Sequence, residues 1–307
     1  MLLVVSPNLC LDRIVVVRGF DVGRVHRAES ATELASGKGL NVGRAARALG
    51  VDVRVVGLVG GGHGGEAILE GARAHGVPLD AVRVPGPVRV CTLIIDPGRA
   101  ETVINEPGPP AGGDAVERLW ECVRAGLEGA RAVILAGSLP PGVPPTFYAE
   151  VIRQAQRIPV ILDAAGDALR QAVAARPYLV KANQLELQGA VGQPLDSLEA
   201  VRKAAEEVRV ITGGSVLITL GGRGALLCGA GGAWEIAPPE VDRMNTIGAG
   251  DSLTAGLASG MLQGLSLLQA VCTGVAAAAA DVTTLLPGTV DAALVARLVP
   301  QVAVRAV

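Results

Sequence analysis

Apolar residues in this chain fall into two rhythms. Short unbroken runs at 2–5, 53–59, 132–136, 160–162, 178–180 and 216–220 read as buried strands. Between the later runs, apolar positions recur at helical spacing, which predicts helices near 114–127, 145–156, 166–174, 184–190 and 197–207. Strand alternating with helix argues for a parallel sheet covered by helices. The first third is less regular. Residues 6–12 read as a loop, 14–17 and 25–34 as strands, 40–49 as a helix ending at Gly50, and 66–75 as a further helix. The runs 88–95 and 101–104 form a strand pair across the turn Asp96-Pro97-Gly98-Arg99. The stretches 12–36 and 88–104 lack helical periodicity and are expected to build a small separate β lid on one domain spanning 1–307. Runs at 225–228 and 233–236 predict a hairpin, and three helices close the chain.

Composition narrows the class. Hydrophobic residues make up 50% of the 307 but aromatics only 2%, so the core must be built from Val, Leu, Ile and Ala. The formal net charge of −2, with no basic block, argues against nucleic acid or a membrane surface as partner. The five cysteines form no Cys-x-x-Cys pair and read as reduced thiols, which with the absence of a signal-peptide pattern predicts a cytoplasmic protein. The Ala- and Val-rich segment 267–286 is interrupted by Gln269, Thr273 and Asp281, so it reads as a buried helix rather than a membrane span.

The chemistry concentrates in Asn245-Thr246-Ile247-Gly248-Ala249-Gly250-Asp251. Glycines here let backbone N–H groups converge at the start of a helix, where the dipole favours an anion such as phosphate. Asp251 beside such a site needs a task, and taking a proton from an alcohol during phosphoryl transfer supplies one. The bland alternative is a first-turn aspartate with glycines that only pack. Two nucleotide motifs fail. Gly60 to Gly65 satisfies GxGxxG, but no strand run leads to Asp80, so a flexible glycine loop is the better reading. Gly37-Lys38-Gly39 lacks the Ser or Thr of a P-loop. Asp12 and Asn41 suit sugar hydroxyls, while Lys38 and Arg89 suit a phosphate. Asp163 reads as a helix cap. Gly137 to Gly142 is a ligand-facing turn or a plain Pro-Gly turn. Asn183 and Glu186 are a magnesium-reaching pair or a capping pair.

Asn8, Asp12, the Gly37 to Val42 stretch, Asn105 to Pro109, Gly137 to Gly142, Lys181 to Glu186, Thr219 to Gly224 and Gly248 to Asp251 occur in an order and spacing that resembles the pfkB (ribokinase-like) carbohydrate kinases, nearest the phosphosugar branch. The resemblance implies a three-layer αβα fold with a mostly parallel sheet and a β lid, and ATP- and Mg²⁺-dependent phosphorylation of a ketohexose phosphate. Fructose 1-phosphate leads and tagatose 6-phosphate follows. By the same resemblance Asp251 is the base, and Gly248, Ala249 and Gly250 are the anion hole. Asp12, Gly39 and Asn41 contact the sugar, and Arg24, Lys38, Arg89 and Ser138 surround its phosphate. Lys181, Asn183, Thr219, Gly221, Gly224, Thr246 and Gly274 line the ATP site. Glu186 and Asn183 serve magnesium, and the lid could join two copies into a homodimer. The sequence departs from the family pattern at Ala182 and Cys10. A kinase for an unphosphorylated sugar or nucleoside, an NAD-linked enzyme and a silent sugar-phosphate-binding regulator remain as alternatives.

Overall fold

The structure, a computed structural model, describes residues 1–97 and 101–307. The chain begins with β1 (Leu2–Asn8), β2 (Cys10–Val16), β3 (Ser30–Ser36), α1 (Lys38–Ala48), β4 (Val53–Gly61) and α2 (Gly62–Ala74). Three strands follow: β5 (Leu79–Pro87), β6 (Arg89–Ile95) and β7 (Thr102–Asn105). Strand and helix then alternate through α3 (Gly113–Leu127), β8 (Ala132–Ala136), α4 (Phe147–Ala155), β9 (Val160–Asp163), α5 (Gly166–Val173), β10 (Leu179–Asn183), α6 (Gln184–Val191), α7 (Leu198–Thr212) and β11 (Ser215–Thr219). The hairpin β12 (Ala225–Gly229) and β13 (Gly232–Ala237) leads to α8 (Ala249–Leu262), α9 (Leu267–Asp281), α10 (Ala292–Leu298) and β14 (Ala303–Ala306).

Among the described residues the large sheet has ten strands in the order β14-β13-β12-β11-β10-β9-β8-β1-β4-β5. Strands from β11 to β5 run parallel, and β12, β13 and β14 add antiparallel at one edge. Apolar layers cover both faces. Leu2 and Val4 of β1 join the layer beneath α1, α8 and α9, while Leu3 and Val5 join the layer beneath α3, α4, α5 and α7. A central strand buried on both sides needs an unbroken apolar run, and Leu2-Leu3-Val4-Val5 supplies it. Burial of this kind is worth about 25 cal/mol per Å² of apolar surface.

The lid is a four-stranded sheet in the order β3-β2-β6-β7. β2 pairs antiparallel with β3 and parallel with β6, so the stretches near 12–36 and 88–104 share one sheet. Its inner side buries Cys10, Ile14, Leu34, Cys91, Leu93 and Ile95 against Ile247, Leu285 and Leu286.

Several expectations are corrected. Residues 6–12 are strand rather than loop, because β1 continues to Asn8 and β2 starts at Cys10. The strand expected over 25–34 begins only at Ser30, since β2 offers pairing partners only as far as Val16, opposite Ser30. β5 and the edge strand β14 were not expected. β5 ends in Pro85-Gly86-Pro87, which reads as loop, yet β4 supplies a parallel partner. Gly60 to Gly65 is no loose loop: Gly60 and Gly61 end β4 and Gly62 opens α2. Asp80 is the second residue of β5 rather than its last, which is the wrong end for a dinucleotide-binding acid. The turn expected over Asp96-Pro97-Gly98-Arg99 lies partly outside the described residues. Among those residues no helix is long and apolar enough to cross a membrane.

Candidate active site

The carboxyl ends of the parallel strands gather the charges. Asp163, the last residue of β9, was expected to cap a helix, but α5 takes Ala165 at that position. Asp163 is instead fully buried and accepts from Lys38 Nζ at 2.6 Å, Lys181 Nζ at 2.8 Å and Thr254 Oγ1 at 3.0 Å. Burial alone would raise its pKa; Lys181 and Lys38 outweigh that and hold it down at about 2. Lys38, at the start of α1, also reaches Glu186 Oε1 at 3.2 Å, and its pKa is raised because the surrounding carboxylates overcome its desolvation.

The glycine-rich stretch enters α8 as expected. Gly248 sits at the helix N-cap with φ of 91° and ψ of −15°. A Cβ there would also come within 2.6 Å of Pro287 Cβ, so glycine is required on both counts. The N–H groups of Asp251 and Ser252 donate to Gly248 O at 2.9 Å, while that of Ala249 reaches Thr246 O at 3.4 Å. Beside Gly250 lies Lys181 Nζ, 3.0 Å from where a Cβ would stand. Helix dipole and ammonium thus point at one spot, an arrangement suited to a phosphoryl group.

Asp251, in the first turn of α8, is buried, and Asn41 Nδ2 donates to its Oδ2 at 2.9 Å. Burial pushes the Asp251 carboxyl up to about 6, with Lys38 opposing and Asp163 adding to the rise. Asn41 Oδ1 accepts from Ser36 Oγ at 2.9 Å and from Arg44 Nη2 at 2.8 Å, so its amide has one self-consistent orientation. Ser36 Oγ also lies 2.5 Å from Asp12 Oδ2, and its single proton serves one of these two acceptors at a time. A line of contacts therefore runs from Asp12 in the lid through Ser36 and Asn41 to Asp251. Ser36 and Arg44 were missed in the sequence; the available signal was a charged residue one helical turn past Asn41 on an otherwise apolar face. Gly39 packs on Ser6, whose Oγ accepts its N–H at 3.2 Å.

Next to this line opens a cavity of about 1200 Å³, lined by Lys38, Lys181, Asn183, Glu186, Thr219, Gly221, Gly224, Thr246, Ala249, Gly250 and Asp251 among others. Asn183 and Glu186 form a capping box at the start of α6, the alternative that had stood beside a metal role. Thr246 N–H donates to Glu101 Oε1 of the lid side at 3.0 Å. Gly274 does not line the cavity. It lies in the α8–α9 contact, where a Cβ would meet Leu253 O at 2.6 Å, and Val275, Ala278 and Ala279 form the wall instead.

A second polar group sits outside that cavity. Arg89 Nη2 donates to Asn8 O at 2.8 Å, and Asn8 Nδ2 donates to Ser138 Oγ at 2.9 Å. Arg89 Nε and Asn8 Oδ1 are buried without a partner among the described residues. Lys38 Nζ, grouped by the resemblance with Arg89 and Ser138, bonds Asp163 and Glu186 rather than either of them. Arg24 is exposed, with Asp21 Oδ2 at 4.0 Å, and joins neither group.

A carboxylate poised near neutrality, beside two ammonium groups and at the mouth of a nucleotide-sized cavity, equips a protein for phosphoryl transfer to an alcohol. A profile described as "pfkB family carbohydrate kinase" matches residues 2–292. The chain belongs to the pfkB family of carbohydrate kinases, phosphotransferases that use ATP. It is 36% identical to the 1-phosphofructokinase of Rhodobacter capsulatus over 86% of this chain and 85% of that one. To the 1-phosphofructokinase of Bacillus subtilis it is 32% identical over 99% of each. Among solved structures, a possible 1-phosphofructokinase of Thermotoga maritima superposes with a TM-score of 0.90 at 26% identity, over 100% of this chain and 99% of that one. Escherichia coli phosphofructokinase-2 in complex with fructose-6-phosphate does so at 0.85 and 27%, over 98% of each.

Two outcomes follow from this geometry. Asp163→Asn leaves Lys181 and Lys38 without their shared counter-charge and should cost about 3–5 kcal/mol in urea unfolding; a loss under about 1 kcal/mol, the scale of a surface pair, contradicts the buried bridge. In the wild type the Asp163 contribution is present above an unfolded carboxylate pKa of about 3.9 and is lost as pH falls through about 2. The second concerns Asp251, whose pKa of about 6 means that kcat/KM should rise with pH through about 6 and then level off. A profile flat between about pH 5 and 8 contradicts Asp251 as the titrating base.

Proposed function

We propose that this kinase transfers the γ-phosphoryl group of ATP to a primary hydroxyl of a ketohexose phosphate, first of all fructose 1-phosphate, giving fructose 1,6-bisphosphate. The observation that carries this reading is the second polar group, with Arg89 Nε and Asn8 Oδ1 buried and unpaired next to Ser138. Unpaired buried polar groups cost free energy unless a ligand completes them. The phosphate of a sugar that already bears one would accept from Arg89 Nε, and a hydroxyl of the same sugar would donate to Asn8 Oδ1. Four curated relatives at 29% to 36% identity carry the name 1-phosphofructokinase.

In this reading Asp12 and Asn41 read the ring hydroxyls and Gly39 lets the sugar approach α1. Asp251 takes the proton of the attacking hydroxyl, while Asn41 holds its other oxygen. Arg89 and Ser138 bind the phosphate that the sugar arrives with. Lys38 and Lys181 face the phosphoryl group in transit, with the N-terminal residues Gly248, Ala249 and Gly250 of α8. Lys38 thus moves from the substrate's phosphate to the transferred one. Thr219, Gly221, Gly224, Asn183 and Thr246 wall the ATP site. Glu186 offers hard carboxylate oxygens of the kind magnesium takes, and magnesium would neutralise the phosphates there. Glu186 shares those oxygens with Lys38 and with the cap at Asn183. Exposed Val103 and Ile104 on the lid, with Val22 and Val25 beyond it, support pairing of the lid with a second copy. A cytoplasmic location is part of this reading; among the described residues no helix is long and apolar enough to cross a membrane.

Tagatose 6-phosphate is the second acceptor of this class. A ketohexofuranose carries a CH₂O arm on each side of its ring oxygen, so one pocket can take either arm toward Arg89. Discrimination then rests on hydroxyls read by Asp12 and Asn41. ADP release with fructose, fructose 1-phosphate, fructose 6-phosphate, tagatose 6-phosphate and a nucleoside tests the reading. The kcat/KM for fructose 1-phosphate should exceed that for fructose by at least ~10², since fructose leaves the cationic group unpaired. Arg89→Ala should raise the sugar-phosphate KM roughly tenfold to a hundredfold and leave that for ATP unchanged. Best turnover with fructose or a nucleoside contradicts the proposal.

A further inference from the structure

Cys10, Asp12 and Cys91 lie together on the inner side of the lid, and none has a part in the transfer chemistry except Asp12. Cys10 and Asp12 are two residues apart on β2, so they point to the same face. Asp12 stands directly across from Cys91 of β6 in the parallel register. Cys10 Sγ, Cys91 Sγ and an Asp12 carboxylate oxygen all fall within 4.8 Å of one another. Cys10 Sγ is 3.2 Å from Asp12 Oδ1. The three residues are 2%, 3% and 5% exposed for Cys10, Cys91 and Asp12 respectively.

The sheet register decides between two fates for this thiol pair. Cys10 is opposite Arg89, so Cys91 is displaced from it by one strand spacing and two residues. Those spacings place the two Cα atoms roughly 8 Å apart. A disulfide needs them within about 7 Å, so oxidation to a bridge is disfavoured. A metal ion suits the longer span, because two bonds of about 2.3 Å to sulfur separate tetrahedral ligands far more than an S–S bond does. Two thiolates and one carboxylate around a dication leave one net negative charge. Arg44 and Arg89 both act on Asp12 with positive charge and can balance it.

We propose that Cys10, Cys91 and Asp12 form a binding site for one thiophilic divalent cation of the zinc class, and that filling it shuts off sugar-phosphate binding. Binding releases the two thiol protons to solvent and turns the Asp12 carboxylate from the sugar to the metal. Water completes the four-coordinate set. ATP binding is untouched, because the cavity that holds Lys181, Asn183 and Thr219 shares none of the three ligands. The inhibitory half rests on the reading of Asp12 as a sugar-binding residue.

Cd²⁺ titration of the full chain, followed by thiolate-to-metal charge-transfer absorption in the ultraviolet, tests the site. Wild type should bind one Cd²⁺ per chain. Cys10→Ser and Cys91→Ser should each weaken binding more than about a hundredfold, beyond the cost of losing an outer hydrogen-bond partner. Cys91→Ala serves should the serine variant fold poorly, with thermal unfolding as the check. All these variants retain Cys122, Cys228 and Cys272, so those thiols are an internal control. Zn²⁺ at saturating MgATP should inhibit wild type competitively with sugar phosphate, reverse on adding a chelator, and spare Cys91→Ser. An unchanged Cd²⁺ signal in the Cys10→Ser/Cys91→Ser double variant overturns the proposal. So does cysteine-dependent Cd²⁺ binding that leaves the sugar-phosphate KM unmoved. Asp12→Asn assayed without metal separates the premise: an unchanged sugar-phosphate KM there refutes the sugar-binding role of Asp12, while the cysteine-dependent Cd²⁺ signal still decides the metal site.

Discussion

Asp163 ties the centre of this molecule together. Its carboxylate, at the end of β9, accepts from Lys38 of α1, Lys181 of β10 and Thr254 of α8. A buried carboxylate is tolerated only when such partners replace its water, so the four elements must converge in one arrangement. That arrangement sets Lys181 Nζ against Gly250 and fixes the field around Asp251. Thr254 Oγ1 ties α8 to the same carboxylate, so a shift of α8 against the strand ends would cost that buried bond.

Asp251 is linked to the lid by a second line of contacts. Asp251 takes a hydrogen bond from Asn41, and Asn41 and Asp12 are joined through Ser36. Arg44 anchors the middle, donating to Asn41 Oδ1, Ala35 O and Pro287 O. The Pro287 carbonyl lies just before the glycine that packs on the Asn41 backbone. The lid strand β3, helix α1 and the Pro287-Gly288 turn are thereby held together. Phosphoryl transfer asks a protein mainly for positioning and charge neutralisation, and rigid placement of this kind answers the first demand.

Much of this was readable in the sequence because it is local. The unbroken apolar runs give the parallel strands, and the Gly248-Ala249-Gly250-Asp251 stretch marks the start of α8. What was not readable depends on pairing between distant segments. β5 carries Pro85, Gly86 and Pro87 and becomes a strand only because β4 lies beside it. β14 is short and exposed and exists by pairing with β13. Asp163 looks like an ordinary cap until Lys38 and Lys181 are brought to it from 125 and 18 residues away. Gly274 fits an ATP-lining pattern, yet helix packing places it against Leu253. Arg24 carried no local constraint, and its position in an exposed segment shows why the sequence could not place it.

The central claim is that Asp251, held by Asn41 and raised by burial, removes the proton of the attacking hydroxyl. Single-turnover phosphoryl transfer by Asp251→Asn tests it most directly. The account predicts a rate lower by about 10²–10⁴, with sugar phosphate and ATP bound nearly as before. A variant that transfers phosphate at more than about a tenth of the wild-type rate contradicts it.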